Sequence, residues 1–352
     1  IMTETVSMLT TRGAYSVYGE GRDEKKWACP VYTYGNNHYS YGISWGTTAY
    51  YDWSEVIQKD YVSGDFIWTG FDYIGEPNPW WSDGSGSVTS LGAAPNSSNF
   101  GVVDTAGFEK DVYYFYRSQW KQDDTTLHIV SAWDSDNMYT SNGKTPVWLY
   151  TNAPVVELYR NGNLIGTATR TVHTTSAGHK YYTYKTTSNN SVCTAVNDTT
   201  YGRNLYAAFN VTYAAGTISA VAKDENGNVI STTTGNATVS TPGTVSKLNA
   251  YADKTKLLAD GSSLAYVTVD VLDAKDVLDT TATNLIRFSL EGDGEIVGVD
   301  NGNPATTDKF QQSSVLSSST QAQIKAYAGK ALVIVRSTKN AGNITLTAST
   351  DN

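Results

Sequence analysis

The chain has 352 residues, of which 25 are Lys or Arg and 34 are Asp or Glu, giving a formal net charge of -9. With no basic cluster, it lacks the electrostatic footprint of a protein that binds nucleic acid or an anionic membrane surface. No stretch nears the roughly 18 uninterrupted apolar residues of a membrane span, 25 Tyr and 9 Trp speak against general disorder, and the length suits two or three domains.

Residues 1 to 120 are aromatic and irregular in texture. Asp65-Phe66-Ile67-Trp68 reads as a short buried strand, followed by a Gly/Pro/Trp loop, a brief strand at Val102-Val103 and the turn Asp104-Thr105-Ala106-Gly107. Asp111 is a candidate N-cap for a helix whose Val112, Phe115, Tyr116 and Gln119 fall at i, i+3, i+4 and i+7. Alternating strand, loop and helix favours an α/β arrangement.

From about residue 125 the helix signals stop. Residues 146–150 and 155–159 read as strands, and Asn161-Gly162 supplies the positive-φ pair of a hairpin turn before Leu164-Ile165. A second hairpin is expected from residues 218–223 and 229–233 around Asn226-Gly227, with 171–200 as a long loop or an exposed edge hairpin. Residues 235–242, rich in Ser, Thr, Gly and Pro, read as a linker. Beyond it, 264–272, 285–290, 296–299, 332–335 and 344–348 are period-2 strands at the spacing of an independent immunoglobulin-like sandwich.

Cys29 and Cys193 are too few and too distant in sequence for a disulfide framework or a thiolate zinc site. The opening Ile-Met-Thr-Glu has neither a charged nor a long apolar region, so it is not expected to be an export signal. Low Lys and Arg, abundant Thr, Ser, Asn and Gly, and the acidic balance fit a secreted or cell-surface bacterial protein.

The best candidate for chemistry is the run from Phe66 to Trp81, which sets Trp68, Trp80 and Trp81 with Asp72 and Glu76 among rigid Pro and Gly turns. Indole faces cover the apolar side of a pyranose while carboxylates accept hydrogen bonds from its hydroxyls. A packed aromatic cluster beneath a loop accounts for the same composition.

Several stretches carry a resemblance in order and spacing: Thr3-Glu4-Thr5, Thr11-Arg12-Gly13-Ala14-Tyr15, Tyr34-Gly35-Asn36-Asn37, Trp45-Gly46, FIWTGFDYIGEPNPW and FGVVDTAGFEKDVYYFYRSQW. Together they resemble the end of the catalytic barrel of glycoside hydrolase family two β-galactosidases. VWLYTNAPVVELYRNGNLIG resembles the sandwich after that barrel, and ADGSSLAYVTVDV with GEIVGVDNG resembles an invasin-like module. The resemblance implies the last strands and helices of a TIM (β/α)8 barrel over residues 1–122, since a whole barrel takes about 250 residues. It implies two immunoglobulin-like β-sandwich domains over 123–240 and 241–352.

It further implies a retaining glycosidase acting on terminal β-D-galactosides such as lactose, with possible transfer of galactose to an acceptor. Glu4 matches the nucleophile that forms the covalent glycosyl-enzyme, and Trp68 the platform under the galactosyl ring. Asp72 and Glu76 are expected to contact sugar hydroxyls, Trp80 and Asn37 to line the site, and Arg12 to play a structural part. The general acid has no match here, so an N-terminal part of the same enzyme is the expected partner, completing the barrel. No cofactor is expected, a structural cation being compatible. His38 reads as solvated or structural, and Asp270, Asp273, Asp276 and Asp279 as a solvated turn rather than a calcium loop.

Two rivals remain. Family two β-glucuronidases use an Asn-x-Lys pair, which Asn142-Gly143-Lys144 matches in letters but in the sandwich. A non-catalytic carbohydrate-binding or adhesion fragment has no need of the pairing of Glu4 with Trp68.

Overall fold

The computed structural model describes residues 2–8, 10–15, 47–75, 96–140, 142–187, 204–312 and 319–351. They divide into two units, Ile1–Asp104 with Glu109–Thr241, and Thr105–Phe108 with Pro242–Asn352. Strands predominate; the two described helices both lie in the first 120 residues, and neither is long and apolar enough to cross a membrane.

The first unit opens with β1 (Met2–Val6) and β2 (Asp65–Trp68), which pair in parallel. Helix α1 (Ala49–Ile57) comes between them in sequence, its first turn capped by the Thr48 hydroxyl accepting from the Tyr51 amide. Helix α2 (Asp111–Trp120) follows. Its N-cap is Lys110, not Asp111, because the Asp111 carboxylate is drawn sideways to the Tyr15 hydroxyl at 3.2 Å and to His128 Nε2 at 2.6 Å. The Asn236 amide donates to His128 Nδ1, leaving Nε2 as the protonated nitrogen that faces Asp111. The described residues of this region thus hold one parallel strand pair and two helices, which do not show the expected barrel remnant. A closed barrel is not present among the described residues.

Two sheets continue the unit. One runs β3 (Leu127–Val130), β4 (Lys144–Thr151), β8 (Ala207–Thr212). The other runs β10 (Thr238–Ser240), β9 (Thr217–Lys223), β5 (Val155–Arg160), β6 (Asn163–Thr174), β7 (Lys180–Thr186). Almost all of β4 is buried because both its faces are covered: Val147 and Leu149 enter the core between the sheets, while Trp148 and Tyr150 join Tyr50 and Phe115 of the helices. Tyr50 sits edge-on to Phe115, Trp148 and Tyr206 at centroid distances of 5.9, 5.8 and 5.1 Å, a favoured aromatic geometry.

The Asn161-Gly162 turn has the expected positive φ values, 51° and 78°. Residues 229–233, expected as a strand, form only a bridge from Val229 to Lys223, because the Asp224 carboxylate gathers the Asn226 and Asn228 amides into a closed loop. The outer partner of β9 is instead β10, inside the stretch expected to be a linker.

The second unit stacks a sheet of order β11 (Val245–Ala252), β12 (Leu264–Asp273), β16 (Lys330–Ser337), β14 (Gly294–Asp300) on one of order β15 (Gln321–Lys325), β13 (Leu285–Gly292), β17 (Ile344–Thr350). Val267, Val269 and Val271 of β12 meet Ile286, Phe288 and Leu290 of β13 in its core. In β14 the pairing register shifts between Ile296 and Gly298, so Ile296 and Val299 both turn inward despite their odd spacing.

Candidate active site

Strand pairing brings Glu4 and Trp68 into one neighbourhood. In β1 and β2, Thr5 is opposite Ile67 and Val6 opposite Trp68. Thr5 is buried, and its hydroxyl donates to Asp65 Oδ2 at 3.1 Å and to the Phe66 carbonyl at 3.3 Å. The pairing register shifts between Met2 and Thr5, and Glu4 lies in that shifted stretch, one residue before the Thr5–Ile67 pair. Glu4 is exposed there, and Trp68 is 36% exposed.

The Trp68 indole is held upright by Tyr73. Its Nε1–H donates to the Tyr73 hydroxyl at 3.1 Å, and the rings meet edge to face at 5.8 Å. The Trp68–Thr69 peptide is cis. Immediately after Glu4 and Thr5 the backbone enters the left-handed region at Val6 (φ 72°) and Ser7 (φ 47°). Such strain, above all at a β-branched residue, persists only where its surroundings hold it; here the Val6 carbonyl accepts from the Thr47 amide at 2.6 Å.

Asp72, expected to contact a sugar hydroxyl, is buried in an ion pair. Its carboxylate pairs with Lys110 Nζ at 2.6 Å, both side chains almost wholly buried, and also accepts from the Gly101 amide at 2.8 Å and the Ser98 hydroxyl at 3.3 Å. Lys110 completes its shell on the Thr10 and Asn99 carbonyls. Burial raises the Asp72 carboxyl and lowers the Lys110 ammonium, each opposed by the charge of the other. Arg12 Nε lies 2.7 Å from Asp104 Oδ2, a second buried pair beside the first. The sequence drew attention to Asp72 through its Trp-rich surroundings; Lys110, 38 positions later, carried no signal before the fold was known.

Behind β1 lies a group the sequence reading missed. Asp52 of α1 is buried against Asp65 and Thr5, and its carboxyl is pushed up to about 8, first by burial and then by the hydrogen bond and charge of Asp65. The absent signal was α1 itself, whose Thr48 cap and first-turn Asp52 were hidden in an irregular-looking aromatic stretch.

Asn37, Glu76 and Trp80, with His38 and Trp81, lie outside the described residues. Asn142 and Gly143 (φ 49° and 70°) form the turn into β4. The four aspartates of the second unit go separate ways: Asp270 to Lys330, Asp276 to Lys247, Asp273 to the Gly243, Lys275 and Val277 amides, and Asp279 to Thr281. Among the described residues no group of three or more His, Cys, Asp or Glu is arranged to hold a metal ion.

In fold, the chain is similar to a β-glycosidase from Bacteroides vulgatus, with a TM-score of 0.70 over 99% of this chain and 40% of that one at 20% identity. The two share a fold. Residues 248–352 match the glycoside hydrolase family 2 C-terminal domain 5, and residues 142–231 a domain of unknown function, DUF4982. The β-galactosidase BoGH2A of Bacteroides ovatus is 32% identical over 361 residues, covering all of this chain and 35% of that protein. A β-glucuronidase of Formosa agariphila is 24% identical over 297 residues, covering 84% of this chain and 24% of that protein. The chain belongs to glycoside hydrolase family 2, matching a C-terminal portion of its members. It spans about a third or less of the length of these curated relatives.

Proposed function

We propose that this chain supplies the nucleophile and one wall of the sugar site of a retaining β-galactosidase. Residues 1–122 would form the closing strands and helices of its catalytic barrel, with 123–240 and 241–352 as two immunoglobulin-like domains. The observation that carries this reading is an exposed Glu4 on the strand paired with the one that ends in the exposed Trp68, beside a strained strand end. The Glu4 carboxylate attacks the anomeric carbon as the bond to the leaving oxygen breaks, and a general acid protonates that oxygen. Water then attacks the glycosyl-enzyme, giving its proton to the same residue and freeing Glu4. A sugar hydroxyl in place of water makes the step a galactosyl transfer.

The acid must come from an N-terminal part of the same enzyme, about 5 to 5.5 Å from Glu4 in a retaining geometry. Phe66, Phe71 and Ile74 are each more than 60% exposed near Trp68, an apolar surface suited to cover by that part. Galactoside is preferred because the whole-chain relative at 32% identity is named a β-galactosidase. The name β-glucuronidase on the Formosa relative keeps glucuronide as the second reading. The acidic, lysine-poor composition supports a secreted or cell-surface bacterial enzyme.

Side-by-side turnover of nitrophenyl galactoside and glucuronide by the full-length protein tests the reading. Galactoside is expected to be faster, and Glu4→Gln to lower kcat by several orders of magnitude. Full activity in Glu4→Gln would remove the enzymatic role of this segment and favour a carbohydrate-binding fragment.

A further inference from the structure

Around the buried Thr5, next to Glu4 in β1, lies an arrangement that ordinary ion pairing does not explain. Asp52, on α1, is 9% exposed, and its Oδ2 has no donor among the described residues. Its carboxyl meets Asp65 of β2, itself the acceptor of the Thr5 hydroxyl at 3.1 Å. The other groups facing it are Thr5 from β1, Glu55 from its own helix and Tyr116 from α2, whose buried hydroxyl feels both aspartates. None of these is a cation. A buried carboxyl set against a second, half-buried carboxylate is disfavoured as a charge, and a proton between them turns the orphaned oxygen into a donor.

We propose that Asp52 and Asp65 share one proton behind β1, and that this link, acting through the Thr5 hydroxyl, positions Glu4 for attack. Thr5 and Glu4 are adjacent on the strand, so anchoring the Thr5 side chain to Asp65 and to the Phe66 carbonyl holds the backbone from which Glu4 projects. A displacement of about 1 Å at a reacting group costs on the order of a hundredfold in rate. Asp52 and Asp65 are therefore positioning residues. The pH dependence follows in sign: with its carboxyl raised to about 8, Asp52 stays protonated at neutrality. Above that pH the two charges repel, β1 loosens and turnover falls. The inference rests on the reading of Glu4 as nucleophile.

Two measurements on the full-length protein test it. The first is infrared difference spectroscopy of wild type against Asp52→Asn and, independently, Asp65→Asn. A protonated-carboxyl C=O stretch is expected in wild type at pH about 6 to 7, vanishing with a midpoint near 8 and missing from both variants. No such band in wild type overturns the shared proton, whatever Glu4 does. The second is the pH profile of kcat on nitrophenyl galactoside. Wild type is expected to lose activity several-fold between pH ~7 and ~9, and Asp52→Asn, which keeps a donor facing Asp65 at every pH, to hold its value across that range. An alkaline limb unmoved in Asp52→Asn overturns the positioning role. The band persisting while Glu4→Gln remains fully active overturns the link to Glu4 and, with it, the proposed nucleophile.

Discussion

Replacing Lys110 by Met tests the buried charge cluster that anchors the segment after β1. The change leaves Asp72 buried with only the Gly101 amide and the Ser98 hydroxyl as partners. Removing one member of a buried pair costs about 3 to 5 kcal/mol, and an upper bound follows from protonation. Stranded, Asp72 takes up a proton; holding it neutral at pH 7, when the unfolded residue titrates near 3.9, costs about 4 kcal/mol. At pH 5 the same reckoning leaves about 1.5 kcal/mol. The sign is fixed: the folded carboxyl is raised above its unfolded value, so the variant loses stability as pH rises and regains it toward acid.

Denaturant unfolding at the two pH values reads the cost, and exchange of the Gly101 amide reports whether the loss is local. The thermal midpoint of the first unit should fall on the order of 10 °C at pH 7. Asp72→Asn combined with Lys110→Met, which keeps an acceptor for Gly101 and removes both charges, should recover most of it. A cost below about 1 kcal/mol at pH 7, or one that does not change with pH, would refute the reasoning and reopen Asp72 as a group free to meet substrate.

Removing the Trp68 indole by Trp68→Ala should weaken competitive inhibition by galactose by about 1 to 3 kcal/mol, and an unchanged inhibition constant would move the sugar platform elsewhere. In the second unit the Asp260 carboxylate accepts from the Ser262 and Ser263 amides and the Ser263 hydroxyl, which hold it below the usual carboxylate range. The stability this supplies is present above the unfolded value and is lost as pH falls through the lowered one. Asp260→Ala should therefore flatten the acid side of that unit's unfolding curve, and an unaltered slope would show that the turn contributes nothing.

The β-rich halves were largely legible because strands buried on one face advertise it. The Val267, Val269, Val271 alternation marked β12, and Asn161-Gly162 marked the turn between β5 and β6. β11 and β15 went unread because they bury few large apolar side chains. Helix α1 went unread because Tyr and Trp crowd its faces and blur the helical period. At the site, Glu4 and Trp68 were reached through resemblance, and their placement on two paired strands through the fold, which no local pattern encodes. The partnerships of Asp72 with Lys110 and of Asp52 with Asp65 span 38 and 13 positions, and only the fold brings them together.

The central claim is that Glu4 becomes covalently bonded to the sugar. Incubating the full-length protein with an activated 2-deoxy-2-fluoro galactoside, then mapping the modified peptide by mass spectrometry, tests it directly. A single fluorogalactosyl group on Glu4, with activity lost in step with labelling, is the predicted result. Labelling of another carboxylate, or steady turnover of galactosides with Glu4 unmodified, would contradict it.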